Sequence, residues 1–147
     1  MNRKNGFTLI EVMVVIAIMG ILGATAVHCY HTIKQRACGS EASCMVKQIL
    51  EAEIMHYLAH DTFFPEVGQT MMIFHNDLPS KAEIAHIGDA LKVTIPVGHL
   101  LDFTITTLPG PLCMVTVSSA GNSFPLFKNG SPSITGVVDG TGKVDIF

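Results

Sequence analysis

The sequence of 147 residues predicts an α+β protein in which one long N-terminal helix precedes an antiparallel β-sheet. Two observations carry this prediction. No proline occurs before Pro65, and the apolar residues of this half recur with helical spacing. The second half instead contains short runs of β-type residues separated by turn residues. Apolar residues make up 48% of the chain and charged residues only 14%, which indicates an apolar segment beyond an ordinary core.

The chain opens with a short basic stretch followed by an uninterrupted apolar run. Arg3 and Lys4 come first, and the run from Phe7 to Val27 would span roughly 30 Å as a helix, the thickness of a bilayer core. The positive-inside rule keeps the basic end in the cytoplasm and sends the rest of the chain across the membrane. Glu11 is the only charged side chain in the run, where a carboxylate costs at least about 2.5 kcal/mol.

Two simple interpretations of this segment leave something unexplained. A secretory signal peptide would be cut after the apolar run, where residues 23–27 (Gly-Ala-Thr-Ala-Val) offer small side chains. A plain transmembrane anchor explains the length and the apolarity of the run. Neither interpretation explains why an acidic side chain, Glu11, lies in the apolar run. A third interpretation is needed, in which the carboxylate has a partner.

The stretch Gly-Phe-Thr-Leu-Ile-Glu, from Gly6 to Glu11, resembles the class III N-terminal signal of type IV pilins and pseudopilins. The resemblance implies that a prepilin peptidase cleaves between Gly6 and Phe7 and methylates the new amine of Phe7. It also implies that Glu11 pairs with the Phe7 amine of a neighbouring subunit during assembly. Many members of the family carry a proline near the end of the apolar run, where this chain has His28.

The resemblance also implies a division of the chain and a location. Residues 1–6 form the cleaved leader, 7–28 the helix half that lies in the membrane and then in the filament core, and 29–147 the amphipathic helix half with a sheet-containing head. The precursor would be a single-pass inner-membrane protein with a cytoplasmic N-terminus, and the product an extracellular pilus or periplasmic pseudopilus. The implied partners are other copies of the chain, prepilin peptidase, the assembly machinery of the inner membrane, and lipid before assembly.

Beyond Tyr30 the helical pattern becomes amphipathic, and its apolar side between Cys38 and Tyr57 is expected to pack on the sheet. Cys38 and Cys44 fall on different faces of this helix, so they cannot bridge each other. We expect one of them to form a disulfide with Cys113, and the apolar position of Cys38 favours that residue. Four unbridged thiols are the alternative.

The remainder predicts a connector, one short helix and a series of strands. Residues 80–83 (Ser-Lys-Ala-Glu) have the pattern of a capping box and Gly88 that of a helix stop, which predicts a helix near 81–87. The β-type runs are 91–96, 100–108, 113–119, 134–138 and 143–147. The turn 139–142 (Asp-Gly-Thr-Gly) predicts a hairpin between the last two.

No motif in the sequence indicates catalysis, a cofactor or a nucleic-acid surface. Nucleophile elbows and phosphate loops are missing from it, and the net charge is −3. His56 and His60 could share a metal ion, with Asp61 as a third ligand, or could be two surface histidines. His28 and His31 present the same alternatives. The sequence therefore favours a structural protein without metal or cofactor.

The function expected is that of a structural type IV pilus subunit that polymerises through its N-terminal helix. A pseudopilin of a type II secretion or DNA-uptake system is one alternative. A membrane-tethered binding domain that never polymerises is the alternative from another class, and it requires neither cleavage nor Glu11.

Overall fold

The structure is a computed structural model that describes residues 7–98 and 100–147. It divides into two compact units, one ending at Lys34 and one running from Gln35 to Phe147. In chain order the elements are α1 (Leu9–His60), β1 (Thr70–Ile73), α2 (Ala82–Leu91), β2 (Leu101–Leu108), β3 (Leu112–Ser119), a 3₁₀ turn (Ala120–Asn122), β4 (Ser133–Asp139) and β5 (Val144–Ile146). The predicted α+β class is confirmed.

Helix α1 is continuous over 52 residues and passes through Gly20, Gly23 and His28 without a break. Its end has a clear physical cause. Asp61 adopts a left-handed backbone with φ of 57°, and its N–H donates to the carbonyl of Tyr57 at 2.8 Å. This is the geometry of a helix C-terminal cap, and it turns the chain out of the helix.

The part of α1 in the second unit packs on the sheet through one face, as its sequence pattern predicts. The buried residues of this face are Cys38, Gly39, Ala42, Met45, Val46, Ile49, Leu50 and Glu53. The closest approach is at Gly136 in β4, where an added Cβ would lie 2.5 Å from Leu50 Cδ1 and 2.7 Å from Val46 Cγ1. A glycine at this position therefore sets how near the helix can come to the sheet.

The five strands form one antiparallel sheet in the order β1-β2-β3-β4-β5. Strand β2 lies in the predicted run 100–108, and along it buried and half-buried side chains alternate, so one side faces the core. Phe103 pairs with Val117 and Ile105 with Val115 across to β3, and all four are buried. The two edges of the sheet are short, with four residues in β1 and three in β5.

Three local predictions for the head are wrong. Strand β1 lies inside the segment that was predicted to be a connector. Its four residues are too few for an alternating pattern to be recognised in the sequence. Residues 92–97 form no strand, because α2 continues to Leu91 and ends on Lys92 with a left-handed φ of 56°. The N-cap of α2 is Lys81 without a side-chain hydrogen bond, so Ser80 does not form the expected capping box.

Candidate functional site

The first turn of α1 is closed by its own side chains. The Glu11 carboxylate accepts hydrogen bonds from the Thr8 N–H and the Thr8 hydroxyl, both at 3.0 Å from Oε2. The Glu11 N–H lies 3.4 Å from the Thr8 hydroxyl oxygen, which completes a reciprocal pair. This arrangement is a capping box, and it satisfies donors that a helix N-terminus otherwise leaves unpaired. The Thr-x-x-Glu spacing could have predicted it from the sequence.

The segment that follows this turn is long and apolar enough to cross a membrane. Every side chain from residue 7 to residue 31 is exposed, including large apolar ones such as Leu9 at 78% and Ile10 at 69%. Glu11 is the only Asp, Glu, Lys or Arg among them. A face this apolar and this exposed needs lipid or other protein around it.

The cleavage site predicted from the resemblance lies only partly within the described residues. Gly6 is outside them, as are Arg3 and Lys4. Phe7 is described and is 84% exposed, just before the capped turn. Further along the segment, the Thr25 hydroxyl donates to the carbonyl of Leu22 at 2.9 Å, so this polar side chain is satisfied within its own helix.

The predicted Cys38–Cys113 disulfide is not formed in the structure. Cys113 lies in β3 with its Sγ 3.9 Å from the carbonyl oxygen of Phe64, beside the carboxyl of Glu53. Cys38 is fifteen positions before Glu53 (53 − 38 = 15) on the same helix, about 22 Å away at about 1.5 Å per residue. A disulfide needs Cα atoms about 4.4–6.8 Å apart, so Cys38 and Cys113 lie too far apart to bridge in this structure.

The position opposite Cys113 is taken by Glu53, which the sequence reasoning missed. Glu53 is fully buried, and its Oε2 accepts a hydrogen bond from the Phe64 N–H at 3.0 Å. Within the described residues no donor reaches its Oε1 with hydrogen-bond geometry, and the same holds for the nearby buried hydroxyl of Thr107. The spacing of Glu53 from Val46, Ile49 and Leu50 is that of the buried helix face, and this signal could have located it.

Burial dominates the electrostatics of this cluster. It raises the pKa of Glu53 to about 8, although the Phe64 N–H and the Cys113 thiol act in the opposite direction. Burial, together with the adjacent Glu53, also raises the pKa of the Cys113 thiol. The carboxyl is therefore mostly protonated at neutral pH, and the thiol is not a reactive thiolate.

A second polar cluster joins the loop after β1 to β2. Asp102 accepts hydrogen bonds from the N–H and Nδ1 of His75 at 2.7 and 2.8 Å, and from the N–H of Gly121 at 2.8 Å. Although burial raises the pKa of Asp102, these hydrogen bonds and the His75 ring together lower it below its usual value. Every donor here is engaged with protein, so the cluster ties three segments of the head together.

The histidines at the end of α1 lie against each other. The rings of His56 and His60 are stacked with centroids 4.3 Å apart and an interplanar angle of 24°. Asp61, the suggested third ligand, caps the helix instead. Within residues 7–98 and 100–147, no group of three or more His, Cys, Asp or Glu side chains is arranged to hold a metal ion.

Comparison with known proteins finds similarity in the N-terminal part of the chain. The family model of the prokaryotic N-terminal methylation motif matches residues 1–27. Over 57 residues the chain is 46% identical to the type IV major pilin protein PilE1 of Neisseria gonorrhoeae. The matched segment covers 39% of this chain and 34% of that protein. No solved structure matches the chain.

Two other relatives also match part of the chain. A fimbrial protein of Moraxella nonliquefaciens is 57% identical over 42 residues, or 29% of this chain and 27% of that protein. The type IV major pilin protein PilA of Myxococcus xanthus is 41% identical over 64 residues, or 44% of this chain and 26% of that protein. The matches thus span about a third or less of the relatives' length, and over that length they confirm the resemblance to the type IV pilin family.

Proposed function

We propose that this chain, which carries the N-terminal methylation motif and helix of the type IV pilin family, is a structural subunit that polymerises into a pilus. In this proposal residues 1–6 are removed by prepilin peptidase, 7–28 anchor the precursor in the inner membrane and then line the filament core, and 29–147 form the outer part. The chain has no catalytic role of its own.

One observation carries the proposal: a single carboxylate in the first turn of an exposed, otherwise apolar helix. Before assembly, the capping box with Thr8 supplies Glu11 with two donors, which lowers the cost of holding it near lipid. After cleavage, the amine of Phe7 is a cation. The Glu11 carboxylate of one subunit then accepts the Phe7 amine of the next, which fixes the axial register, while packing of the apolar helices holds the subunits together.

Two variants separate the charge of Glu11 from its capping role. Glu11→Gln keeps a side chain that can complete a capping box but removes the charge. Thr8→Val removes the capping hydroxyl but leaves the carboxylate. We expect Glu11→Gln and Glu11→Ala to insert into the membrane at normal levels and to yield no filaments, whereas Thr8→Val yields filaments.

The measurements are the amount of subunit in the membrane fraction and the filaments recovered by shearing, viewed by electron microscopy. Normal filaments from Glu11→Gln would show that the carboxylate acts only as a cap and would refute the pairing mechanism. A pseudopilus or a non-polymerising anchor would give no surface filaments from the unmodified chain.

A further inference from the structure

The outer face of the sheet, on the side away from α1, is lined with hydroxyl groups. Alternation along β2, β3 and β4 places one set of side chains towards the core and leaves the other set half-exposed. None of this outer set has a part in the proposed assembly of the N-terminal helix. Its hydroxyl-bearing members, together with that of β1, are Thr70, Thr104, Thr106, Thr116, Ser118, Ser133 and Thr135.

One row of the outer face crosses the whole sheet. Met72 in β1 lies opposite Thr104 in β2, Thr104 lies opposite Thr116 in β3, and Thr116 lies opposite Thr135 in β4. Phe147, just after β5, exchanges two backbone hydrogen bonds with Thr135 at 2.9 and 3.0 Å, so its ring lies on the same face. Because neighbouring strands are about 4.7–4.9 Å apart, the row is roughly 19 Å long.

The row combines an exposed aromatic ring with hydroxyls that can still bind a ligand. Phe147, at its end, is 76% exposed. The hydroxyl oxygens of Thr116 and Thr135 are 3.1 Å apart, and those of Thr70 and Thr106 in the next row are 3.0 Å apart. A hydroxyl donates one hydrogen bond and accepts two, so in each pair the hydroxyl that accepts keeps its own proton for a ligand. The face can therefore both donate and accept hydrogen bonds.

The charged side chains of the outer face lie at its margins and are held within the head. Asp102 is bound by His75, Asp145 pairs with Lys143 at 2.8 Å, and Asp139 accepts hydrogen bonds from the backbone of its own turn. An uncharged centre cannot neutralise phosphate groups, which excludes nucleic acid as the partner. Interfaces between proteins are depleted in serine, and serine and threonine are rare among their hot spots, so a hydroxyl-rich face does not suit a second protein.

We infer that the outer face of the sheet binds a neutral polysaccharide chain along the row from Met72 to Phe147. The hydroxyls of such a polymer donate and accept hydrogen bonds as the threonine hydroxyls do. One side of a sugar ring presents C–H groups, which pack on the electron-rich face of an aromatic ring such as that of Phe147. Small molecules are held in concave pockets, whereas this face is open, so its ligand is an extended chain rather than a single sugar.

The test is co-sedimentation of the full chain with insoluble cellulose and with chitin, in micelles of a detergent that has no sugar head group. We expect retention on at least one of them that is the same at low and high salt, because no ion pair is formed. Soluble cellohexaose or chitohexaose should release the bound chain. Since the chain has a net charge of −3, diethylaminoethyl-cellulose measures retention by charge alone, which high salt abolishes. Retention on neither neutral polysaccharide would overturn the proposal.

Two variants link retention to the row. T116V/T135V removes both hydroxyls of one pair, so it leaves no unpaired partner, and it keeps β-branched side chains that suit a strand. Phe147→Ala removes the exposed ring at the end of the chain. Each change should weaken binding about two- to tenfold, which is the effect of losing one typical contact of this kind.

Thr94→Val and Tyr30→Ala are the matched controls, because they remove a hydroxyl and an exposed ring that lie outside the sheet. Both should bind as tightly as the unmodified chain, and circular dichroism checks that every variant keeps its strands. Retention that is unchanged in both T116V/T135V and Phe147→Ala would place the polysaccharide on another surface and refute the proposal. An equal loss in the two controls would refute it as well.

Discussion

Glu53 places an ionisable group in the middle of the contact between α1 and the sheet. Its carboxyl is fully buried and only one of its oxygens has a hydrogen bond of good geometry. The folded state therefore strongly prefers the protonated form, with a pKa of about 8 against 4.5 in the unfolded chain. Below the unfolded pKa of about 4.5 the carboxyl is protonated in both states, so Glu53 does not lower the stability there. As the pH rises from about 4.5 to about 8, only the unfolded chain gives up this proton, so the folded state becomes less stable.

We expect Glu53→Gln to flatten the dependence of stability on pH between about pH 5 and pH 8. The amide keeps an oxygen for the Phe64 N–H and carries no charge at any pH. Because one pKa unit corresponds to about 1.4 kcal/mol, the unmodified head should lose roughly 2–3 kcal/mol of unfolding free energy between about pH 5 and pH 7 on account of Glu53. The variant should lose almost none of it.

Thermal unfolding of the full chain in detergent, measured across this pH range, checks the prediction. Glu51→Gln is the matched control, because Glu51 is exposed on the same helix and its replacement should leave the profile unchanged. The lowered pKa of Asp102 acts in a separate window, where stability falls as the pH drops below about 4. Identical stability profiles between about pH 5 and pH 7 for Glu53→Gln and the unmodified chain would contradict the account of Glu53.

Single residues were the hardest part of the molecule to predict from sequence. The apolar residues of the buried face of α1 follow from helical spacing, but the same spacing places Glu53 among them, and composition gives no reason to bury a carboxyl. The apolar face of α1 favours Cys38 as the partner of Cys113, but a face does not say how far along the helix the partner lies, and Cys113 packs beside Glu53 instead. The cap formed by Thr8 and Glu11 follows from the Thr-x-x-Glu spacing alone.

Two glycines in helices, Gly39 and Gly88, have the same intrinsic helix propensity but differ in the space around them. A Cβ at Gly39 in α1 would collide with the backbone carbonyl of Leu126, which cannot swing away like a side chain. A Cβ at Gly88 in α2 would have only the carbonyl of Val93 nearby, at an ordinary 3.9 Å. Propensity alone favours alanine over glycine by about 1 kcal/mol at both positions.

We therefore expect Gly88→Ala to stabilise the head by up to about 1 kcal/mol, and Gly39→Ala to destabilise it by about 1–3 kcal/mol through overpacking. Urea unfolding of the two variants in the same detergent measures both changes. A stabilising Gly39→Ala would mean that the contact between α1 and the 126–127 segment is looser than the structure has it.

The elements were predictable in proportion to their length and regularity. Helix α1 and strands β2 and β3 follow from sustained periodic patterns, and the hairpin of β4 and β5 follows from its turn residues. Between residues 62 and 97 the presence of α2 was predictable, but β1 was not because it is short, and the end of α2 was not because the helix ends on Lys92 rather than Gly88. A lysine in a left-handed cap has no sequence signature.

For the whole chain, processing is the prediction that separates the proposed subunit from a plain anchor. We expect the mature protein to begin at Phe7 and to carry a methylated amine, since the methylation motif covers residues 1–27. Mass spectrometry of the N-terminal peptide from cells measures this directly. Replacing Gly6 with a bulky residue should leave the leader in place and abolish filaments, and a mature chain that starts at Met1 would refute the proposal.

The short edges of the sheet matter most when many copies of the head stand side by side. Unpaired strand edges are templates for pairing between chains, and crowding along a fibre would make such pairing competitive with correct stacking. Strand β1 offers four residues and β5 only three, and the Lys143–Asp145 ion pair at 2.8 Å places charge along the β5 edge. In the proposed filament, heads built this way could be packed at high local density without pairing their sheet edges, so the order of the copies would be set by the helices.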